Sequence, residues 1–408
     1  MHWTFCIEGG PRRVNHAAVA INGLIYSFGG YCSGENSETI RPMDVHIFDT
    51  STYRWRCLPL PSATHEQFYL TPYQRYGHTA VAYKDMCYIW GGRNDINGAC
   101  NVLHQFDPKS GLWRQVITKG DTAPSRDGHS ACVYNDQMII FGGFEEGYQR
   151  FSNDTYALDF RNNCWHQLHP EGPPPVWRDF HTATMIRDRM YVFGGRSDES
   201  GPFHTNSELY NTELMYLDFA DNSWHTVATK GSAPYGRRSH SSWTQRGMLF
   251  LFGGYNGSLN EHYNDLYCFN PGEQFIMDKV VRLWKLSEAT KTSVLCTHWQ
   301  QGVYVRWHQV DIGPKAAFAI CCFHFCSPLT TDFSELPMRD PTWSERNLTD
   351  HSDLYVLEFY PALRTLCMMH VWENPLLSSE LDHLPPSVRL DLQLLSKEVK
   401  PNIVRKDG

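Results

Sequence analysis

No stretch of this 408-residue chain approaches ~18 uninterrupted apolar residues, so no membrane-spanning helix is expected. The opening residues, Met1-His-Trp-Thr-Phe-Cys-Ile-Glu8, form no apolar run of signal-peptide length. The 13 cysteines are odd in number and include no Cys-x-x-Cys pair. Most of them read as small buried apolar side chains in a reducing compartment, the cytoplasm or the nucleus. Charged residues make up only 20% against 41% hydrophobic, which argues for a packed core and against disorder. A net charge of −8 argues against a general nucleic-acid surface. Catalytic signatures are also missing. There is no Gly-x-Ser-x-Gly, no His-Glu-x-x-His, no phosphate-binding Gly-rich loop with Lys, and no EF-hand-like run. No cofactor and no metal are therefore expected.

What the chain has is aromatics, at 14%, and an internal repeat. A Gly-Gly pair closes a short apolar run at Gly29-Gly30, Gly91-Gly92, Gly142-Gly143, Gly194-Gly195 and Gly253-Gly254. A histidine stands 13 residues before each first glycine: His16, His78, His129, His181 and His240. Three residues before each histidine stands an arginine: Arg13, Arg75, Arg126, Arg178 and Arg237. These arginines and histidines read as structural, hydrogen-bonding loop backbone between repeats. Between histidine and glycines the pattern is a hairpin, with turns at Asn22-Gly23, Lys84-Asp85, Asn135-Asp136, Arg187-Asp188 and Arg246-Gly247. A third strand ends at Asp49, Asp107, Asp159, Asp218 and Asn270, and Trp55, Trp113, Trp165 and Trp224 follow six residues on. Four strands per ~50 residues is the pattern of a propeller blade.

These motifs resemble the kelch repeat, in full over about residues 1–275. The expected fold is all-β: a six-bladed kelch β-propeller occupying residues 1–360, with residues 276–347 diverged. Trp3-Thr-Phe-Cys-Ile7 reads as a fourth strand without its own blade. His351-Ser-Asp-Leu-Tyr-Val-Leu-Glu-Phe359 resembles a third strand. The N-terminal strand would then close the sixth blade and leave no open edge. Blade five carries Ile276 where the repeat expects Trp, and the signature is lost from there to about residue 347. Trp307-His-Gln-Val310 and Ala316–Cys326 could supply strands; the segment is a diverged insertion or an alternative transcript product. Cys322, His324 and Cys326 alternate as strand residues do and lack the distant second pair of a zinc site.

After Phe359 a tail follows. Ala362, Leu363, Cys367 and Val371 match the pattern of an elongin-C-binding box, with Leu363, Cys367 and Val371 on one helix face. An ordinary amphipathic helix packed on the propeller would share that spacing. Leu384, Pro385, Val388 and Leu392 resemble a cullin-2 box. A short helical region over 361–395 and a flexible end over 396–408 are expected. Kelch propeller, elongin box and cullin box together resemble the substrate receptors of cullin-2 RING ubiquitin ligases. The resemblance implies elongin B, elongin C, cullin-2 and a RING protein as partners. It also implies substrates that end in glycine, and no catalysis by this chain. A pure scaffold, cytoskeletal or chromatin-associated, is the competing class, and an oxidase-type kelch enzyme a further one.

The same resemblance implies a degron pocket at the centre of the loop face. Arg196, directly after Gly194-Gly195, stands where a relative has a carboxylate-binding arginine. Arg237, Arg238 and Ser239 come from the next blade's loop, and Arg93 follows Gly91-Gly92. Arginine suits a planar carboxylate because its fork bonds both oxygens. Arg196-Ser-Asp-Glu-Ser lacks the second nearby arginine of the relative; that part falls to Arg238, or affinity is lower. Gly408, the last residue, either competes with substrates for this pocket or is an incidental glycine at an unstructured end.

Overall fold

The apolar runs of each repeat alternate sharply in which neighbour they face, and that alternation builds the molecule. The computed structural model describes residues 2–6, 10, 11, 13–31, 41–50, 52, 54–205, 207–263 and 265–271. It also describes the strand segments 276–280, 303–311, 317–326, 348–350 and 354–358. In the third blade, Met138 and Ile140 pack with Trp90 and Tyr88 of the second. Ile139 and Phe141, one residue out of phase, pack with Met190, Val192 and Trp224 of the fourth. Period-two side chains buried on both faces explain why Met-Ile-Ile-Phe is continuously apolar. The core is thus a series of sandwiches between neighbouring blades.

Five blades are four-stranded and antiparallel. Blade 1 holds Ala17–Ile21, Leu24–Phe28, Val45–Asp49 and Arg54–Cys57. Blade 2 holds Tyr76–Tyr83, Met86–Asn94, Leu103–Asp107 and Leu112–Val116. Blade 3 holds Ser130–Tyr134, Gln137–Phe141, Thr155–Asp159 and Cys164–Leu168. Blade 4 holds Thr182–Ile186, Arg189–Phe193, Leu214–Asp218 and Ser223–Thr226. Blade 5 holds Ser241–Gln245, Met248–Phe252, Leu266–Asn270 and Ile276–Val280. Every third strand ends at the residue the sequence pattern gave it. The hairpin turns take positive φ at both central residues in Asn22-Gly23, Lys84-Asp85, Asn135-Asp136 and Arg246-Gly247. That is the turn whose twist matches paired strands.

Beyond blade 5, Val303–Asp311 pairs antiparallel with Ala317–Cys326, which carries Cys322, His324 and Cys326. His2–Cys6 pairs antiparallel with Leu354–Glu358, Trp3 opposite Leu357. Val303–Asp311 lies against the first strands of both blade 5 and blade 1. Residues 361–408, with the elongin and cullin boxes and Gly408, lie outside the described residues.

Outer edges are covered locally, which the sequence did not announce. Lys119–Gly120 adds a parallel pairing to blade 3 and Lys230–Gly231 one to blade 5. Glu171 bridges the edge of blade 4. On blade 2 the short helix Glu66–Leu70 brings Gln67, whose Oε1 accepts from the Trp113 amide at 2.8 Å. Covered edges do not recruit further strands.

Candidate functional site at the loop face

In four blades the first strand starts just after the histidine and the second ends just before Gly-Gly, and in blade 2 the same strands run on through His78 and Gly91-Gly92, so both motifs lie at one end of the molecule. The residue before each histidine is left-handed: Asn15, Gly77, Gly128, Phe180 and Ser239, with φ between 50° and 68°. Their backbones form a chain of hydrogen bonds from blade to blade. Gly77 N donates to Asn15 O at 2.9 Å, Gly128 to Gly77 at 2.9 Å, Phe180 to Gly128 at 2.7 Å and Ser239 to Phe180 at 2.9 Å. Non-glycine residues held there carry strain that the surrounding contacts must enforce. Asn15, Gly128, Phe180 and Ser239 rim a central cavity of about 150 Å³, walled below by Ala80, Ala131 and Ala183.

The histidines are the rivets of this ring. Nε2 of His129, His181 and His240 lies 2.8 Å from the hydroxyl of Thr79, Ser130 and Thr182 on the preceding blade. His240 is pushed down to about 3 by burial, with Arg237 adding to the effect, so it stays neutral. The arginines differ from the expectation that their side chains bridge blades. Arg126, Arg178 and Arg237 donate through Nη1 to the carbonyl of their own blade's first glycine, at 3.0, 2.8 and 2.9 Å. The crossing is made by backbone: Gly92, Gly143 and Gly195 donate to the carbonyls of Arg126, Arg178 and Arg237 at 2.8–2.9 Å. A guanidinium saturates several carbonyls at once, which is why a loop turn can be buried around it.

The nominated site residues separate into three kinds. Arg237 is fully buried, lies 3.9 Å over the Tyr263 ring and pairs with Asp265. It belongs to the bracing set and does not reach the loop surface. Arg196 is close to the surface but engaged. Its Nε and Nη2 grip Asp179 at 3.2 and 2.6 Å, and its Nη1 meets Glu208 at 3.1 Å. Burial pulls its pKa down, but Asp179 and Glu208 outweigh burial and raise it. Arg93 is part-exposed and pairs loosely with Asp95 and Glu146, at 3.6 and 3.5 Å. Arg238 is the open cation of the nominated set. It lies 5.4 Å over the Tyr255 ring, its Nε is buried without a partner, and it joins no ion pair. Ser239 is on the cavity rim.

Sequence reasoning missed the acids. Asp127 and Asp179 occupy the position after the arginine in blades 3 and 4, both buried. Asp127 has an Oδ1 without a hydrogen-bond partner. Burial pushes its pKa up to about 7, and Asp179 adds to the rise against the pull of Arg93 and Arg196. Glu208 sits beside Arg196 and accepts from the Tyr210 hydroxyl. The repeat did hold a signal. Across five copies the residue after the arginine is Val14, Tyr76, Asp127, Asp179 and Arg238, a slot that varies between a fixed arginine and a fixed histidine.

Four-stranded blades riveted by Arg-x-x-His and Gly-Gly around a charged loop face define a kelch β-propeller, a protein-interaction fold. Residues 77–279 match the KLHDC2/KLHL20/DRC7 Kelch-repeats domain, and residues 12–62 match the Kelch motif. The chain is 43% identical over 384 residues to Kelch domain-containing protein 3 of Homo sapiens and of Mus musculus, covering 94% of each protein and 94% of this chain. It is 28% identical to Host cell factor of Drosophila melanogaster over 228 residues, 53% of this chain and 14% of that protein. This chain belongs to the Kelch domain-containing protein 3 family.

Proposed function

We propose that this chain is the substrate-recognition subunit of a cullin-2 RING ubiquitin ligase. Its propeller binds the terminal glycine of target proteins at the loop face, and it performs no chemistry itself. The observation that carries the reading is Arg238. It is a half-buried guanidinium with no anion of its own, next to Ser239 on the rim of the central cavity. A cation held there at the cost of lost hydration gains most from an incoming carboxylate. Arg196, paired with Asp179 and Glu208, and Arg93, paired with Asp95 and Glu146, complete the nominated set.

The ring is six-bladed in this reading. The pairing of His2–Cys6 with Leu354–Glu358 supports it, as does the position of Val303–Asp311 between the first strands of blades 5 and 1. In the same reading the propeller spans 1–360 and the elongin and cullin boxes lie within 361–395. Elongin B, elongin C, cullin-2 and the RING protein assemble on that tail, in the cytoplasm or nucleus.

The test is calorimetric titration with a ten-residue peptide ending in glycine, as free acid and as C-terminal amide. The reading expects the acid to bind at least tenfold tighter, the scale of one charge-assisted contact. Equal affinities would show that the carboxylate is not read.

A further inference from the structure

One arginine nominated for a substrate carboxylate, Arg196, already holds a carboxylate that also lies within the field of Arg238. Glu208 Oε1 accepts from Arg196 Nη1 at 3.1 Å. Its other oxygen accepts from the Tyr210 hydroxyl. Burial pushes the Glu208 carboxyl up, yet Tyr210, Arg196 and Arg238 together hold it below its ordinary range, so it is anionic and feels both arginines. We propose that Glu208 is an internal placeholder, occupying the seat of the substrate's terminal carboxylate and setting how strongly that carboxylate must compete. The proposal rests on the substrate-receptor reading above.

Two acids hold Arg196, and only one can yield. The Asp179 side chain is fully buried and bonded through both oxygens. Turning it away would strand a buried charge at a cost of several kcal/mol. Glu208 is 27% exposed and stands on the short outer strand Glu208–Tyr210 of the loop hairpin. It can swing into water and rehydrate. A ligand carboxylate arriving at Arg238 therefore displaces Glu208 and leaves Asp179 in place. While Glu208 is seated, it keeps the Arg196 guanidinium oriented and repels anions that offer too few other contacts. That sharpens selection for ligands whose remaining contacts repay the exchange.

The experiment compares wild type with Glu208→Gln, using the acid and amide forms of the same glycine-ending peptide on the full chain. Glutamine keeps an acceptor for Tyr210 and removes the charge. Removing one like charge beside the incoming carboxylate should tighten the acid peptide about tenfold. The amide should change by less than about threefold, so the acid-to-amide ratio rises. Glu208→Ala should tighten the acid in the same sense, and thermal melts of both variants report on the fold. An acid peptide that binds either variant no tighter than wild type overturns the placeholder and leaves the receptor reading standing. A peptide that binds neither wild type nor variant overturns both.

Discussion

Gly194 and His240 meet across the seam between blades 4 and 5. A Cβ on Gly194 would stand 2.5 Å from Cε1 of the His240 ring, and equally 2.5 Å from the Arg237 carbonyl oxygen. Gly142 makes the corresponding approach to His181. The fixed 13-residue offset in each copy sets the geometry of its own blade, and the seam then joins each first glycine to the next blade's histidine. Gly194 also has φ +66°, which alanine adopts only with strain. Gly194→Ala should destabilise the propeller by about 2–4 kcal/mol, read as a lower urea midpoint at unchanged slope. An unchanged midpoint would mean the seam relaxes freely.

The arginines should separate by what they do. Arg237→Ala leaves Asp265 buried beside an empty slot and should cost about 3–5 kcal/mol of stability. Arg238→Ala removes no ion pair and should leave stability within ~0.5 kcal/mol. It should nonetheless weaken a glycine-ending peptide by about 1.5–3 kcal/mol. Unfolding titrations and peptide calorimetry on the two variants check both halves. A stable, binding-competent Arg238→Ala would remove this residue from the site.

Much of the scaffold was legible because a propeller repeats. Strand ends, hairpin turns and the buried Trp113, Trp165 and Trp224 fall where the spacing put them. The same periodicity could have assigned Arg237, since it shares its slot with Arg13, Arg75, Arg126 and Arg178, and all five are buried. What a repeat cannot encode is what differs between copies. The pairing of Arg196 with Asp179 and Glu208 joins an Arg-x-x-His loop to a hairpin of individual length. The edge covers were hidden for the same reason, being built from the irregular links between blades. Lys119-Gly120 and Lys230-Gly231 succeed through glycine: a Cβ on Gly120 would run into the Trp165 carbonyl.

Asp127 gives the fold a pH signature. Its folded pKa, about 7, lies above the unfolded value near 3.8. Between those values the folded chain binds the extra proton. This group's contribution therefore falls as pH rises from about 4 to about 7. Asp127→Asn removes the term and should gain about 4 kcal/mol over wild type at pH 8, with the difference vanishing near pH 4. Urea unfolding of both proteins across that range checks the sign. A variant less stable than wild type at pH 8 would mean that the ionised carboxylate is needed.

The substrate-receptor account stands or falls on whether the chain joins the ligase. The direct measurement is capture of purified elongin B–elongin C by the full chain, beside a variant carrying Leu363→Ser and Cys367→Phe. The account predicts stoichiometric capture by the wild type and none by the double variant, with the urea midpoint unchanged. Capture by neither protein, or undiminished capture by the variant, would contradict it.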